Sequence, residues 1–377
     1  MSAEAQTIEY PEAIAALTQP AFDDLLRWAH EKGASDVMMA PGDPIWMRLH
    51  GAWMPVTRAV TASEVGIIVN NTSGQSNASA LAQSGQDLDY AYEIQVTRGV
   101  RYRFRCNATG CRHGWSSGVA VVMRTIPGSP PTMEELDVEP AIRDSILPTY
   151  GLVLMTGPVG SGKSTLLFSA LREIAENKPR HIITYEAPIE FDLTDLPGRM
   201  APVVQSEIPA HLGDFDRAPR NSLRRAGDVV LFGESRDRET MRSMSIEAET
   251  GVSVYSTVHS NSVSETVSRM IREFPVDERD GMAATLLAAM RLIVHQRLVP
   301  RADGKGRTPI REYLVFDEKT RRELVDVPPT ELMREMDRLV SERGQSLAAD
   351  AERKWRDGVI GAREARIFTN ELPAHAE

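Results

Sequence analysis

Cysteine is scarce in this sequence: the 377 residues contain two, Cys106 and Cys111, five positions apart. With no other cysteine to complete a tetrahedral set, zinc ligation is not expected, and a disulfide framework does not suit a reducing compartment. Long apolar runs are lacking too. Stretches such as 151–156 and 229–233 fall far short of the roughly 20 residues that cross a bilayer. Residues 1–20 hold three glutamates, no lysine or arginine and no apolar h-region, unlike a signal peptide. The expected location is therefore cytoplasmic. Positive charge is also in deficit, with a formal net charge of −10. That balance argues against a non-specific nucleic-acid coat, which needs clustered lysine and arginine, and no direct sequence-specific nucleic-acid contact is expected. No internal repeat is visible.

What is present reads as an ordinary globular chain, 42% hydrophobic and 25% charged. At about 150 residues per domain, its length predicts two domains. Residues 22–31 form an amphipathic pattern, with Phe22, Leu25, Leu26 and Ala29 on one face and Gly33 after it. Short apolar pieces at 37–39, 45–49 and 53–56, separated by turn formers, predict an antiparallel meander. Strand patterns continue at 87–96, 100–109 and 119–124. In the middle one Arg101, Arg103 and Arg105 alternate with Tyr102, Phe104 and Cys106, so period two places three arginines on one face. The first domain, 1–125, is thus expected to be α+β. Residues 126–140 read as a linker, made stiff at its start by Pro127, Pro130 and Pro131. From 141 to 377 the pattern changes. Apolar strands at 152–156, 182–185, 229–232 and 252–257 alternate with helical stretches, which predicts βαβ units and a mostly parallel α/β sheet. Beyond about 318 the chain is charged and helical.

The chemistry is concentrated in that second part. Gly157, Pro158, Val159, Gly160, Ser161, Gly162, Lys163 and Ser164 match the full P-loop pattern, directly after a strand and directly before the helical run that Thr165 opens. Glycines let successive backbone N–H groups face phosphate oxygens, and the helix N-terminus adds partial positive charge. In this motif Lys163 reaches the β and γ phosphates and the Ser164 hydroxyl ligates Mg2+, so ATP and Mg2+ are the expected ligands. Phosphoryl transfer also needs acids. The strand at 229–232 delivers Glu234 at its carboxyl end, where it could hold magnesium directly or through water, or act as the base. The strand at 182–185 delivers Glu186, a second candidate to polarise the attacking water. His259, flanked by hydroxyls at the end of a third strand, is placed to sense the γ-phosphate or to serve as an ordinary structural histidine.

With these blocks in order, the chain resembles the secretion ATPases that include type II secretion and type IV pilus motors, over about residues 20–320. The P-loop resembles the family's Walker A, and Glu186-Ala187-Pro188-Ile189-Glu190 its aspartate box. Gly233-Glu234-Ser235-Arg236-Asp237 resembles the Walker B tail, and the segment from Glu249 to Ser262 the histidine box. The resemblance implies a PAS-like amino-terminal domain, a RecA-like ATPase domain and a homo-hexamer with ATP between subunits. It also implies partners in an inner-membrane secretion or conjugation complex, holding the protein peripherally at that membrane. In such motors arginines of the amino-terminal domain reach the nucleotide, and the matching positions are Arg103, Arg105 and Arg124. Arginine suits that role because it stays charged and presents forked donors. The plainer alternative is a strand face paired with Asp87, Asp89 and Glu93, and that alternative is preferred for Arg101.

Several departures bear on the branch. Ala187 stands where the family has aspartate, so no second carboxylate adjoins Glu186. The four-cysteine zinc module of type II and pilus-extension ATPases is absent, as is the carboxyl-terminal Ala-Ile-Arg signature of pilus-retraction ATPases. The sequence is more similar to the DotB and TraJ-like ATPases of type IVB secretion and conjugal transfer, through Thr184-Tyr185-Glu186, Gln205-Ser206-Glu207-Ile208-Pro209 and Val100-Arg101-Tyr102-Arg103. Arg217, Arg220, Arg224 and Arg225 fall at helical spacings, as a surface for a neighbour or as a solvated face paired with Asp214 and Asp216. A pilus-retraction motor, a low-turnover nucleotide switch and a small-molecule kinase remain the rival readings.

Overall fold

The computed structural model describes residues 10–11, 14–49, 52–97, 100–126, 128–233, 235 and 237–369. The chain divides into two units, one ending at Gly128 and the other beginning at Ser129. The first is built on a six-stranded antiparallel sheet among the described residues. Its strands are β1 (Asp36–Met39), β2 (Pro44–Leu49), β3 (Ala52–Ala59), β4 (Leu88–Thr97), β5 (Val100–His113) and β6 (Ser116–Ile126), in the order β3-β2-β1-β6-β5-β4. Helix Gln19–Glu31 starts at a Thr18 cap with Pro20 in its first turn, and it buries Phe22, Leu25, Leu26 and Ala29 at the helical spacing. These pack with Val37, Met39, Phe104, Cys106 and Met123 of the sheet.

Two helices, Ala62–Ser73 and Ala78–Gln83, escaped the sequence reading. The signal for the first was present. Thr61 and Glu64 form a capping box, Thr61 Oγ1 accepting from the Glu64 N–H at 3.2 Å and the Glu64 carboxylate accepting from the Thr61 N–H at 2.8 Å.

The second unit carries a seven-stranded sheet among the described residues: β7 (Gly151–Thr156), β8 (Ile182–Glu186), β9 (Val203–Glu207), β10 (Val229–Phe232), β11 (Ser253–Val258), β12 (Met290–Pro300) and β13 (Arg307–Val315). The order is β13-β12-β7-β11-β10-β8-β9, parallel throughout except for β13 against β12. Every residue of β7, β8, β10 and β11 is buried, as a parallel sheet covered on both faces requires. Leu152 and Leu154 of β7 face Met244, Val267 and Leu286. Val153 and Met155, on the opposite face, join Leu166, Leu171 and Ile174 of helix Lys163–Asn177. Strands β9, β12 and β13 were not read from sequence; β12 and β13 precede the charged helical region that begins near residue 318.

The expected linker over 126–140 needs correction. Ile126 closes β6, and Met133 and Val138 are buried in the second core beside Val153 and Leu166. Prolines restrict the backbone at 130 and 131, but the apolar side chains that follow pack as core.

Candidate nucleotide-binding site

The P-loop occupies the turn between β7 and helix Lys163–Asn177. At Gly157, φ is +139°, and a Cβ there would lie 2.3 Å from the Gln296 carbonyl oxygen and 2.8 Å from Ser161 Oγ. Gly162 has φ +82°, and its Cβ would meet Gln296 Nε2 at 2.7 Å. Both positions combine a backbone that L side chains avoid with no room for one. Pro158, Val159 and Gly160 are exposed along the loop, whereas Ser161 is buried, its Oγ without a hydrogen-bond partner.

Helix Lys163–Asn177 has no side-chain cap, so the N–H groups of its first turn, with Lys163, Ser164 and Thr165, are left for an outside acceptor. Lys163 is buried, and its Nζ donates to the carbonyl oxygens of Gly157 at 2.8 Å and Pro158 at 2.9 Å. This ammonium spans the loop it would share with a phosphate. The cradle without Cβ atoms, the uncapped helix start and the lysine fit a phosphate group. The Ser164 hydroxyl, on a half-buried residue of the first turn, is a hard oxygen of the kind magnesium takes.

Glu186 ends β8, with β11 and β10 between it and β7. It is buried, its carboxylate accepting from Thr184 Oγ1 at 2.6 Å, Gln205 Nε2 at 3.0 Å and the Glu190 N–H at 3.1 Å. Burial raises the carboxyl to about 7, against the hydrogen bonds from Thr184, Gln205 and Glu190 that favour the ionised form. Gly233 closes β10 beside it, donating its N–H to the Tyr185 carbonyl at 2.8 Å. Glu234 follows Gly233 in sequence and lies outside the described residues, as does Arg236. Thr257 Oγ1 donates to the Gly233 carbonyl at 2.7 Å, tying the end of β11 to this segment. His259 is exposed one residue beyond β11. The carboxyl ends of parallel strands thus gather the P-loop, Glu186, Gly233 and His259 on one edge, where ligands bind in open α/β sheets.

Two participants were missed from sequence. Gln205 on β9 orients Glu186 while holding the Phe191 carbonyl at 2.9 Å and accepting from the Leu193 N–H at 2.8 Å. Sequence alone gives Gln205 only a place in a motif of resemblance, because its partners lie across a strand pairing. His295 on β12 is fully buried, its Nδ1 3.1 Å from Thr156 Oγ1 at the end of β7. Burial, then the charges of Arg297 and Lys163, push it down to about 4 and keep it neutral.

In the first unit the alternation of β5 holds: Phe104 and Cys106 point into the core, and the arginines point away. Arg101 and Arg103 pair with Glu93 at 2.9 and 3.5 Å. Arg124 pairs with the buried Asp36 at 3.0 Å. Arg105 stands opposite Arg124 in the β5–β6 register, exposed, and among the described residues no carboxylate pairs with it. Of the second-unit arginines, Arg217 pairs with Asp214 at 3.3 Å and Arg225 donates to Ser206 and Asn221 at 3.3 Å each.

Strand, glycine-rich loop, helix and a parallel sheet with acids at its strand ends define a P-loop nucleotide-binding protein. The chain belongs to the Type II/IV secretion system protein family, whose pattern matches residues 15–360. Among solved structures it is similar to the Legionella pneumophila ATPase DotB, 38% identical over 96% of this chain and 98% of that one, with a TM-score of 0.86. It is also similar to the pilus retraction motor PilT solved with bound ADP, 27% identical over 93% of this chain and 97% of that one, TM-score 0.80. The type IV pilus ATPase PilU of Pseudomonas aeruginosa is 34% identical, over 78% of this chain and 74% of its own length. Among the described residues no helix is long and apolar enough to cross a membrane.

Proposed function

We propose that the chain is a magnesium-dependent ATP hydrolase, one subunit of a homo-hexameric motor serving type IVB secretion or conjugal transfer. The observation that carries this reading is the P-loop with Lys163 bridging its carbonyls, on a sheet edge that also delivers a buried strand-end glutamate. In it the second unit acts as a RecA-like ATPase domain and the first as a PAS-like domain. The N–H groups from Gly160 to Thr165 bind the phosphates and Lys163 offsets their charge. Glu186 or Glu234 orients and deprotonates water, and His259 acts as a γ-phosphate sensor. Magnesium, when bound, would neutralise charge on the β and γ phosphates, with Ser164 and Glu234 as the residues that would hold it. Arg103, Arg105 and Arg124 would complete a nucleotide site at a subunit boundary. Similarity to DotB over nearly the full length of both chains favours a secretion role.

The test is phosphate release by the full chain with and without magnesium, and with no acceptor added, which also separates hydrolysis from kinase chemistry. Lys163→Ala should lower turnover by several powers of ten while leaving the fold intact. Near-normal hydrolysis by that variant would sink the assignment. A second reading, pilus retraction, is favoured by the likeness to PilU and PilT. A deletion strain that loses twitching but keeps export and DNA transfer would select it.

A further inference from the structure

A buried chain of side chains runs behind the P-loop, on the side away from the strand-end acids. Gln296 of β12 donates from Nε2 to the Ser161 carbonyl at 2.5 Å. Its other end, Oε1, accepts from Arg311 Nε on the adjacent strand β13 at 2.9 Å. Arg311 is almost fully buried, and it also donates to the carbonyls of Leu136 at 3.0 Å and Asp137 at 2.9 Å and to the Glu139 carboxylate at 2.8 Å. Its own N–H donates to Asp350 Oδ2 at 2.9 Å, an oxygen that also accepts from Lys354 Nζ at 3.0 Å.

We propose that Gln296 is a positioning residue for the P-loop, aimed by Arg311, and that the pair holds the Ser161–Gly162 peptide in its phosphate-receiving orientation. This rests on the ATP-binding reading of the loop. The C=O and N–H of a trans peptide point in opposite directions. Anchoring the Ser161 carbonyl on Gln296, behind the loop, therefore aims the Gly162 N–H into it. Gly162, at φ +82° and without a side chain, has little of its own to stop that peptide from rotating. An amide side chain could present either end, but Arg311 carries donors only. It accepts nothing, so Gln296 must turn its oxygen to Arg311 and its N–H to Ser161. The same guanidinium fixes the Asp137 turn, a non-glycine residue at φ +46°, in the segment through which the chain enters the second unit. Loop geometry is thus linked to that segment through two side chains.

Gln296→Glu separates this role from simple packing. A carboxylate keeps its pair with Arg311 but sets an acceptor against the Ser161 carbonyl. Using fluorescent ADP titration, steady-state ATP hydrolysis and melting of the nucleotide-free chain, we expect ADP affinity to fall about tenfold, the scale of an unsatisfied buried carbonyl. KM for ATP should rise with it, while the nucleotide-free melting temperature stays within a few degrees of wild type. Arg311→Lys is the second variant, because a compact ammonium cannot hold Gln296 and three further oxygens at once. It should weaken ADP in the same direction, and the double variant should lose less than the product of the two single losses. Nucleotide affinity and KM within twofold of wild type in folded Gln296→Glu, or in Arg311→Lys should the first not fold, would overturn the proposal. Strictly multiplicative losses would remove Arg311 from it. A wild-type chain that binds no ADP would overturn the underlying reading of the loop, an outcome distinct from normal binding with an indifferent variant.

Discussion

The two sheets expose chemistry in different ways. Strand β5 of the first unit alternates, so each outward residue is a side chain available along the whole length of the strand. Strands β7, β8, β10 and β11 of the second are buried at every position, and their chemistry is confined to the ends. An open face offers many arginines and little constraint on any one of them. A closed sheet offers few positions, each fixed by several neighbours. Substitutions on the open face should accordingly differ widely from residue to residue, whereas those at the closed sheet's ends should be severe and specific.

Beyond Lys163→Ala, the largest effect is expected on the open face, and its absence would break the comparison. Arg105, exposed, opposite Arg124 and with no carboxylate partner among the described residues, is electrostatically suited to an anion, since like charges directly opposite on a sheet disfavour each other. If Arg103, Arg105 or Arg124 completes a nucleotide site, alanine there should lower turnover by about 10³-fold or more, the scale of an arginine finger. Turnover should be measured at concentrations above and below assembly, followed by light scattering. All three variants folding, assembling and hydrolysing within twofold of wild type would make these arginines structural only.

At the closed end, Glu186→Gln keeps the shape and removes the charge, so ATP should still bind while turnover falls about a hundredfold. A base must be ionised to work. With its carboxyl raised to about 7, the wild-type rate should climb as pH passes through that value, and the variant should lose this limb. Stability runs the other way. Glu186 and Glu247, the latter also raised to about 7 by burial, hold protons in the folded chain that the unfolded chain releases near its ordinary carboxyl value of 4.5. Their contribution is full below about 4.5 and is lost as pH rises through about 7. Denaturant melts of Glu186→Gln across this range should show a shallower fall than wild type. An unchanged rate limb in that variant would instead give the role of base to another group, Glu234 first.

How much of this could be read from sequence follows the same division. The P-loop was legible because its parts are consecutive: strand, glycines, lysine and helix lie within one short segment. The arginine face was legible because period two is local. Gln205 and Gln296 were not, since each acts through a partner brought near by strand pairing, on β8 for the first and at the loop after β7 for the second. The helices between β3 and β4 were missed despite the Thr61 capping box, and residues 126–140 were read as linker because proline spacing was weighed above Met133 and Val138. His295 lay in a strand whose polar residues, His295, Gln296 and Arg297, hid its buried character.

Arg101 offers the smallest effect and the sharpest control. It shares the strand and the outward face of Arg103 and Arg105, and its guanidinium lies 2.9 Å from Glu93, with both side chains about half exposed, at 50% and 45%. Such a pair is worth about 0 to 1 kcal/mol, because water screens the charges and two long side chains lose freedom in holding one geometry. Arg101→Ala should therefore change turnover less than about twofold, on the scale of an exposed pair, and leave assembly intact. The comparison with Arg105→Ala is informative because both variants remove one positive charge from the same face. If the open face works through its summed potential, both losses should be alike and should fade together as salt is raised to a Debye length of a few ångströms. If it works through placed donors, Arg105→Ala should be crippled at every ionic strength while Arg101→Ala stays near wild type. Equal losses in the two variants would mean that position along β5 does not matter, and that the face acts as a charged surface.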